Sequence, residues 1–285
     1  MIGGAIAGLT AGGAYALLGV CLVLMYRMTG VVNFAAAAIG AMGMYVSVRL
    51  DAAGLPYVLA ALIGVIASAI LGALCGAVMT RWFAEASVER RSTVAIAMLI
   101  GLIALGTRLF GSSPQVLPEQ LQGAVLTVGG TVITQAAVVA IASAVGLAVA
   151  VHLVLVKTTL GLRLRALSER PTTSELHGIP VPRLAIGVWA ATGAAASVCL
   201  LIVAPTRPAG FTDLSLLVIL GLAAALIGLF RSLVATVIGG IALGVLDGIT
   251  NDIPVLYDYR EAVPLVVVLI TLLWTQRKAV WDAAR

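Results

Sequence analysis

Nine mostly apolar stretches of about the same length follow one another along the chain, at about 3–26, 31–48, 56–79, 93–109, 132–156, 184–204, 214–230, 233–249 and 261–275. Each approaches the ~20 residues with which a helix, rising 1.5 Å per residue, crosses ~30 Å of bilayer hydrocarbon. Hydrophobic residues make up 61% of the 285 and charged ones only 10%, against roughly 25% charged in soluble domains. Such a chain cannot bury its apolar surface in one core that still faces water, so lipid must be part of its solvent. The expected fold is therefore all-α: a polytopic transmembrane helical bundle of about 8–9 spans, read as a single domain over 1–285. The eighth run is short and glycine-rich and is expected to be a broken or re-entrant segment, tolerable only where protein or a water-filled cavity covers its backbone. The first apolar run begins at residue 2 with no cation before it and no small-residue cleavage site, so no removable signal peptide is expected.

The formal net charge of +5 does not point to nucleic acid, because the cations sit in or beside the loops between spans. Under nine crossings thirteen fall on one side, among them Arg27, Arg81, Arg90, Arg91, Lys157, Arg163, Arg165, Arg183 and Arg231. Four fall on the other: Arg49, Arg108, Arg207 and Arg260. Short loops rich in Lys and Arg stay in the cytoplasm, which predicts a cytoplasmic C-terminus and an external N-terminus. Single cations at span ends, such as Arg49 and Arg108, are most simply snorkelling anchors that meet membrane lipid.

Glycine recurs at four-residue spacing, as Gly4, Gly8 and Gly12 in the first span and Gly240, Gly244 and Gly248 in the eighth. Small residues at that spacing let helix backbones touch. The spacing leaves open whether the partner is another span or a second subunit.

The chemistry that would make this an enzyme or a self-powered pump is missing. Lys157-Thr158 follows Val156 where a phosphate-binding loop needs glycine, and neither G-x-S-x-G nor H-E-x-x-H occurs. Cys21, Cys75 and Cys199 are far apart, and only His152 and His177 could join them, so no metal site is expected. Asp213 and Asp247 are the nearest approach to an ionisable coupling group, and both sit near span ends. What remains is a pore or autonomous carrier, a scaffold, or a permease driven by a separate ATPase.

Two segments stand out. Residues 157–183 are too polar to be membrane-buried and too long for a turn. Leu160–Glu169 predicts a helix displaying Arg163 and Arg165, and Pro171 starts a second short helix that Gly178 ends. Lying on the cytoplasmic side, this segment reads as a docking element; a basic connector facing anionic headgroups is the alternative. Asn33 enters the second span after Thr29-Gly30. It serves either as a helix cap or, with Phe34, as part of a path lined by Gly40 and Gly43.

These residues resemble a known family. Tyr15-Ala16-Leu17 with Thr29-Gly30-Val31-Val32-Asn33-Phe34-Ala35, then Gly161, Arg165-Ala166, Glu169 and Gly178-Ile179, then Leu226, Gly228, Ser232, Gly239-Gly240 and Gly244 are similar, in order and spacing, to the permease subunits of branched-chain amino acid ABC importers. The resemblance implies a second, homologous permease subunit, an external solute-binding protein and a bacterial inner-membrane location. It also implies two ATPase subunits, which bind the ATP and Mg while this chain holds no cofactor. The ATPases would grip Arg163, Arg165, Ala166, Glu169, Gly178 and Ile179, with Arg165 and Glu169 as polar anchors. The chain departs from the pattern at Ala36 and Ala37, at Ile227, Phe230 and Val234, and at Pro171 and Pro180. The substrate it implies is thus a branched-chain amino acid or a related amide, urea or organic acid.

Overall fold

The computed structural model describes residues 2–114, 123–128, 131–169, 171–205, 209–253, 262 and 265–273. Among the described residues six helices are long and apolar enough to cross a membrane: α1 (Ile2–Thr29), α3 (Tyr57–Trp82), α4 (Val88–Phe110), α5 (Gln135–Lys157), α8 (Val181–Val203) and α11 (Leu233–Asp252). Between them lie α2 (Ala36–Ala52), α6 (Thr159–Glu169), α7 (Pro171–Leu176), α9 (Phe211–Leu216) and α10 (Val218–Ile227), with one antiparallel hairpin of β1 (Ala124–Val128) and β2 (Thr131–Thr134). Hydroxyls start several helices by accepting an orphan backbone N–H. Ser87 does so for α4, Thr134 for α5 and Ser232 for α11.

The glycine stripes meet each other. Gly4 lies on the backbone of Gly248, Gly8 on Gly244, and Gly12 on Gly240 and Ile241. Helices α1 and α11 thus cross antiparallel with their backbones in contact. A second glycine- and serine-rich junction binds α2, α3 and α8. Gly43 packs on Gly64, Ser68 and Ser197, Gly40 packs on Ala196, and the Ser68 hydroxyl donates to the Ile39 carbonyl at 2.8 Å. Helix α1 runs through the centre, its residues from Ala14 to Met25 almost entirely buried.

Two expectations about the spans need correction. The eighth run is not broken: α11 is continuous over 20 residues, with Gly240, Gly244 and Gly248 packed on α1 and Gly239 on Ile227 of α10. The irregularity falls in the seventh run instead: Phe211–Ile227 is one apolar helical stretch, interrupted only at Leu217, where α9 meets α10 and the angles stay helical at φ −57 and ψ −17. There the Ser215 hydroxyl takes the Phe211 carbonyl at 2.7 Å, and Leu217 N–H reaches only the Leu214 carbonyl. The second run is helical only from Ala36, and 31–35 is irregular chain. Of the ninth run, 261–275, the described stretch 265–273 is helical.

Helix ends are gathered at two poles. At one, Thr29, Thr80, Arg91, Ser168, Glu175 and Val181 line a single cavity, and the Tyr26 and Phe230 rings lie 4.7 Å apart. Toward the other, the Tyr45 ring lies tilted against Phe110 and Phe211, at 5.1 and 5.3 Å, and the Tyr15 hydroxyl donates to Asp247 at 3.0 Å. The first pole carries Arg27, Arg81, Arg90, Arg91, Lys157, Arg163, Arg165, Arg183 and Arg231; the second carries Arg49 and Arg108 among the described residues.

Candidate functional site

The α6–α7 segment leaves the bundle at the basic pole. Thr158 makes the corner: its hydroxyl donates to the Val154 carbonyl at 2.6 Å and accepts from Gly161 N–H at 3.0 Å, closing α5 and opening α6. Gly161 lies against the last turn of α5, so close that a Cβ would stand 2.5 Å from Leu155 Cα. Leu164 and Leu167 are buried, and this sets the outward face of α6. Arg163 and Arg165 are exposed on it and Ala166 is half-buried. Glu169 ends the helix; its side chain lies outside the described residues.

Helix α7 closes as its proline and glycine predict. Gly178 has φ +77, its N–H reaches the Glu175 carbonyl at 2.9 Å, and Ile179 N–H reaches the Ser174 carbonyl at 3.0 Å. That pair of bonds is a Schellman cap. Ile179 is half-buried at the start of the chain's return to α8. The cap also presents a residue that sequence reasoning passed over: Leu176 is 85% exposed. Leu162 is exposed as well. The available signal was a lone leucine between Glu175 and His177, outside any apolar run.

Beneath this segment is a cavity of about 380 Å³ whose walls come from α1, the α3–α4 turn, α4, α6, α7 and α8. Arg91 joins two of these parts, donating from Nε to the Ala86 carbonyl at 2.9 Å and from a terminal nitrogen to the Thr29 carbonyl at 3.5 Å. The cavity thus lies between the α6–α7 segment and the ends of α1, α4 and α8.

The second candidate region is the α1–α2 break. Thr29 caps the end of α1, donating to the Met25 carbonyl at 2.8 Å, and Gly30 follows at φ +68. Asn33 is 1% exposed. Its Oδ1 accepts Ala35 N–H at 3.1 Å, which is a turn one step ahead of the helix; the N-cap position belongs to Ala35. Its Nδ2 is buried without a partner. Phe34 is half-buried against the core. Gly40 and Gly43 are closed helix contacts, so the four residues do not converge on an open space. Asp213 and Asp252, at the far pole, each accept a backbone N–H, from Gly210 at 3.2 Å and Gly4 at 2.9 Å.

Among the described residues, six membrane-length apolar helices in one bundle, with this segment at one pole, are the architecture of a multi-pass membrane protein. The chain matches the family described as branched-chain amino acid transport system, permease component, over residues 4–272. It belongs to that family of ABC-type transporters. It is 26% identical over 281 residues to the probable branched-chain amino acid transport permease protein LivH of Methanocaldococcus jannaschii, covering 90% of this chain and 85% of that one. Among solved structures it is similar to a chain of PsaBC from Streptococcus pneumoniae in complex with Fab, at 14% identity and TM-score 0.49, covering 94% of this chain and 89% of that one.

Proposed function

We propose that this chain is the membrane-spanning subunit of an ATP-driven importer that moves a branched-chain amino acid, or a related amide, urea or organic acid. In this reading two ATPase subunits bind ATP and Mg and dock on α6–α7 from the cytoplasm. A second homologous permease completes the path, and an external binding protein delivers the solute. The chain itself carries no catalytic residue. Family membership supports the transport class, and the excess of cations at the α6–α7 pole supports its cytoplasmic placement.

The observation that carries the docking role is Leu176. A leucine 85% exposed on a six-residue helix that is capped at its end is a rigid apolar anchor held out from the bundle, and burying it fully against a partner is worth about 1.5–3 kcal/mol. Movement of the docked ATPases would then pass through α6 and α7 to the helix ends around the 380 Å³ cavity. Such a displacement drives transport only if ATP-bound and ATP-free partners favour different arrangements of those helices.

Co-expression with the neighbouring reading frames, purification, and leucine uptake in proteoliposomes test this. Two ATP-hydrolysing chains should co-purify, and Leu176→Asp should remove them while leaving membrane insertion intact. Solute flux through the purified chain alone, without ATP, would establish the autonomous carrier instead.

A further inference from the structure

A second cavity, of about 400 Å³, lies between α5 and α8, with α1 as its floor and α6 closing one end. Its walls are hydrocarbon: Leu24 from α1, Val151 from α5, Leu164 from α6, and small residues of α8 such as Gly187 and Ala191. Thr192 lines it too, but its hydroxyl is already committed to the Val188 carbonyl at 2.9 Å. Apart from that hydroxyl, Arg183 at one end and the buried Cys21 thiol, the lining residues are apolar along its length. On α8 it runs from Arg183 to Ala195, twelve residues or about 18 Å of helix. That is close to one leaflet of a bilayer whose hydrocarbon is ~30 Å thick. Spread over that length, the open space is long, narrow and apolar, the shape of an extended polymethylene chain, and the charge at its mouth suits the phosphate that a phospholipid adds to such a chain.

The mouth is cationic. Arg183 is the charged residue in the lining, and it is exposed at the basic pole. Lys157 and Arg163, also exposed, sit on the two elements that flank it, α5 and α6. No carboxylate lines the trench.

We propose that the α5–α8 trench is a phospholipid site, with one acyl chain lying along Gly187 and Ala191 and the phosphate held by Arg183. This needs only the chain's place in a bilayer, so it stands or falls separately from the transport reading. The tail would pack on Leu160 and Leu164, the underside of α6, and so support the docking segment from below.

The test uses the full chain in nanodiscs containing a phosphatidylglycerol with a photoreactive diazirine on its acyl chain. Crosslinks should map to 147–155 and 184–195, and unlabelled phosphatidylglycerol should compete them away. A Cβ at Gly187 would meet nothing within 4 Å, so Gly187→Leu fills the trench without displacing backbone and should lower this labelling at least fivefold at an unchanged melting temperature. Ala191→Leu, one turn further along, serves should Gly187→Leu fail to fold. Arg183→Gln should weaken labelling by the phospholipid several-fold while leaving labelling by a diazirine fatty alcohol unchanged. Labelling spread evenly over the outward face of α3 and indifferent to Gly187→Leu would overturn the site. So would disulfide trapping of Gly187→Cys to another protein chain, which would show that protein covers the trench.

Discussion

Single glycines decide how closely this bundle packs, and they do so for opposite reasons at different positions. Gly244 has Gly12 Cα and N and the Gly8 carbonyl where a Cβ would go. Backbone cannot step aside as a flexible side chain can, so Gly244→Val should force α1 and α11 apart, costing at least the ~1–3 kcal/mol of an overpacked core. The expected result is a melting temperature lowered by several degrees, whereas Gly146→Ala, in open space on α5, should leave it unchanged or raised; equal melting of the two variants would contradict the packing. Gly178 is constrained by its own backbone: φ +77 with no neighbour near a Cβ. A β-branched residue there costs about 1–2 kcal/mol of left-handed strain, and all of it falls on the α7 cap. Gly178→Val should therefore keep the bundle's melting temperature but lose ATPase co-purification and ATP-coupled uptake. Normal coupled uptake would remove Gly178 from the docking element.

The short helices show which parts of the fold were readable in the amino-acid order. Proline at the start and glycine past the end located α7, since those two residues act through their own φ angles and need no tertiary context. The glycine stripes announced helix contacts, but a glycine every fourth residue looks alike in a broken span and in a tightly packed one. Only the position of α1 against α11 separates the two. The interruption at Leu217 had no glycine or proline to mark it. The hairpin at β1 and β2 was overlooked, although a Gly129-Gly130 pair between β-prone stretches is a hairpin signal. At the candidate site, the outward arginines of α6 followed from helical spacing. Leu176 did not, because its exposure depends on how the Schellman cap aims the last turn. Thr158 belongs with the unread features too: one hydroxyl serves both α5 and α6. Thr158→Val should cost about 1 kcal/mol of cap energy and let α6 fray. Faster amide hydrogen exchange over 159–165, with α8 unchanged, is the expected outcome; unaltered exchange would mean that the Gly161 contact alone holds the corner.

Across the whole molecule the strongest asymmetry is electrostatic, with nine described cations at the α6–α7 pole and two at the other. The distribution follows from alternation: α1, α3, α5 and the α9–α10 pair all end at the basic pole, while α4, α8 and α11 start there, so every loop on that side can retain Lys and Arg. Each such residue near a span end biases insertion toward the cytoplasm, and nine against two leaves no competition between loops. The molecule offers a clean way to read the outcome, because Cys21, Cys75 and Cys199 are all buried and give little background to a membrane-impermeant thiol reagent. In intact cells Ala53→Cys, in the exposed turn after α2, should react at once. His177→Cys, beside the exposed Leu176, should react only after the membrane is permeabilised. The reverse pattern would place α6–α7 outside the cell, where there is no ATP for a docked motor to use, and the docking role of Leu176 would fall with it. The phospholipid trench would survive that reversal, since it asks only that Arg183 reach the headgroups of whichever leaflet its pole faces.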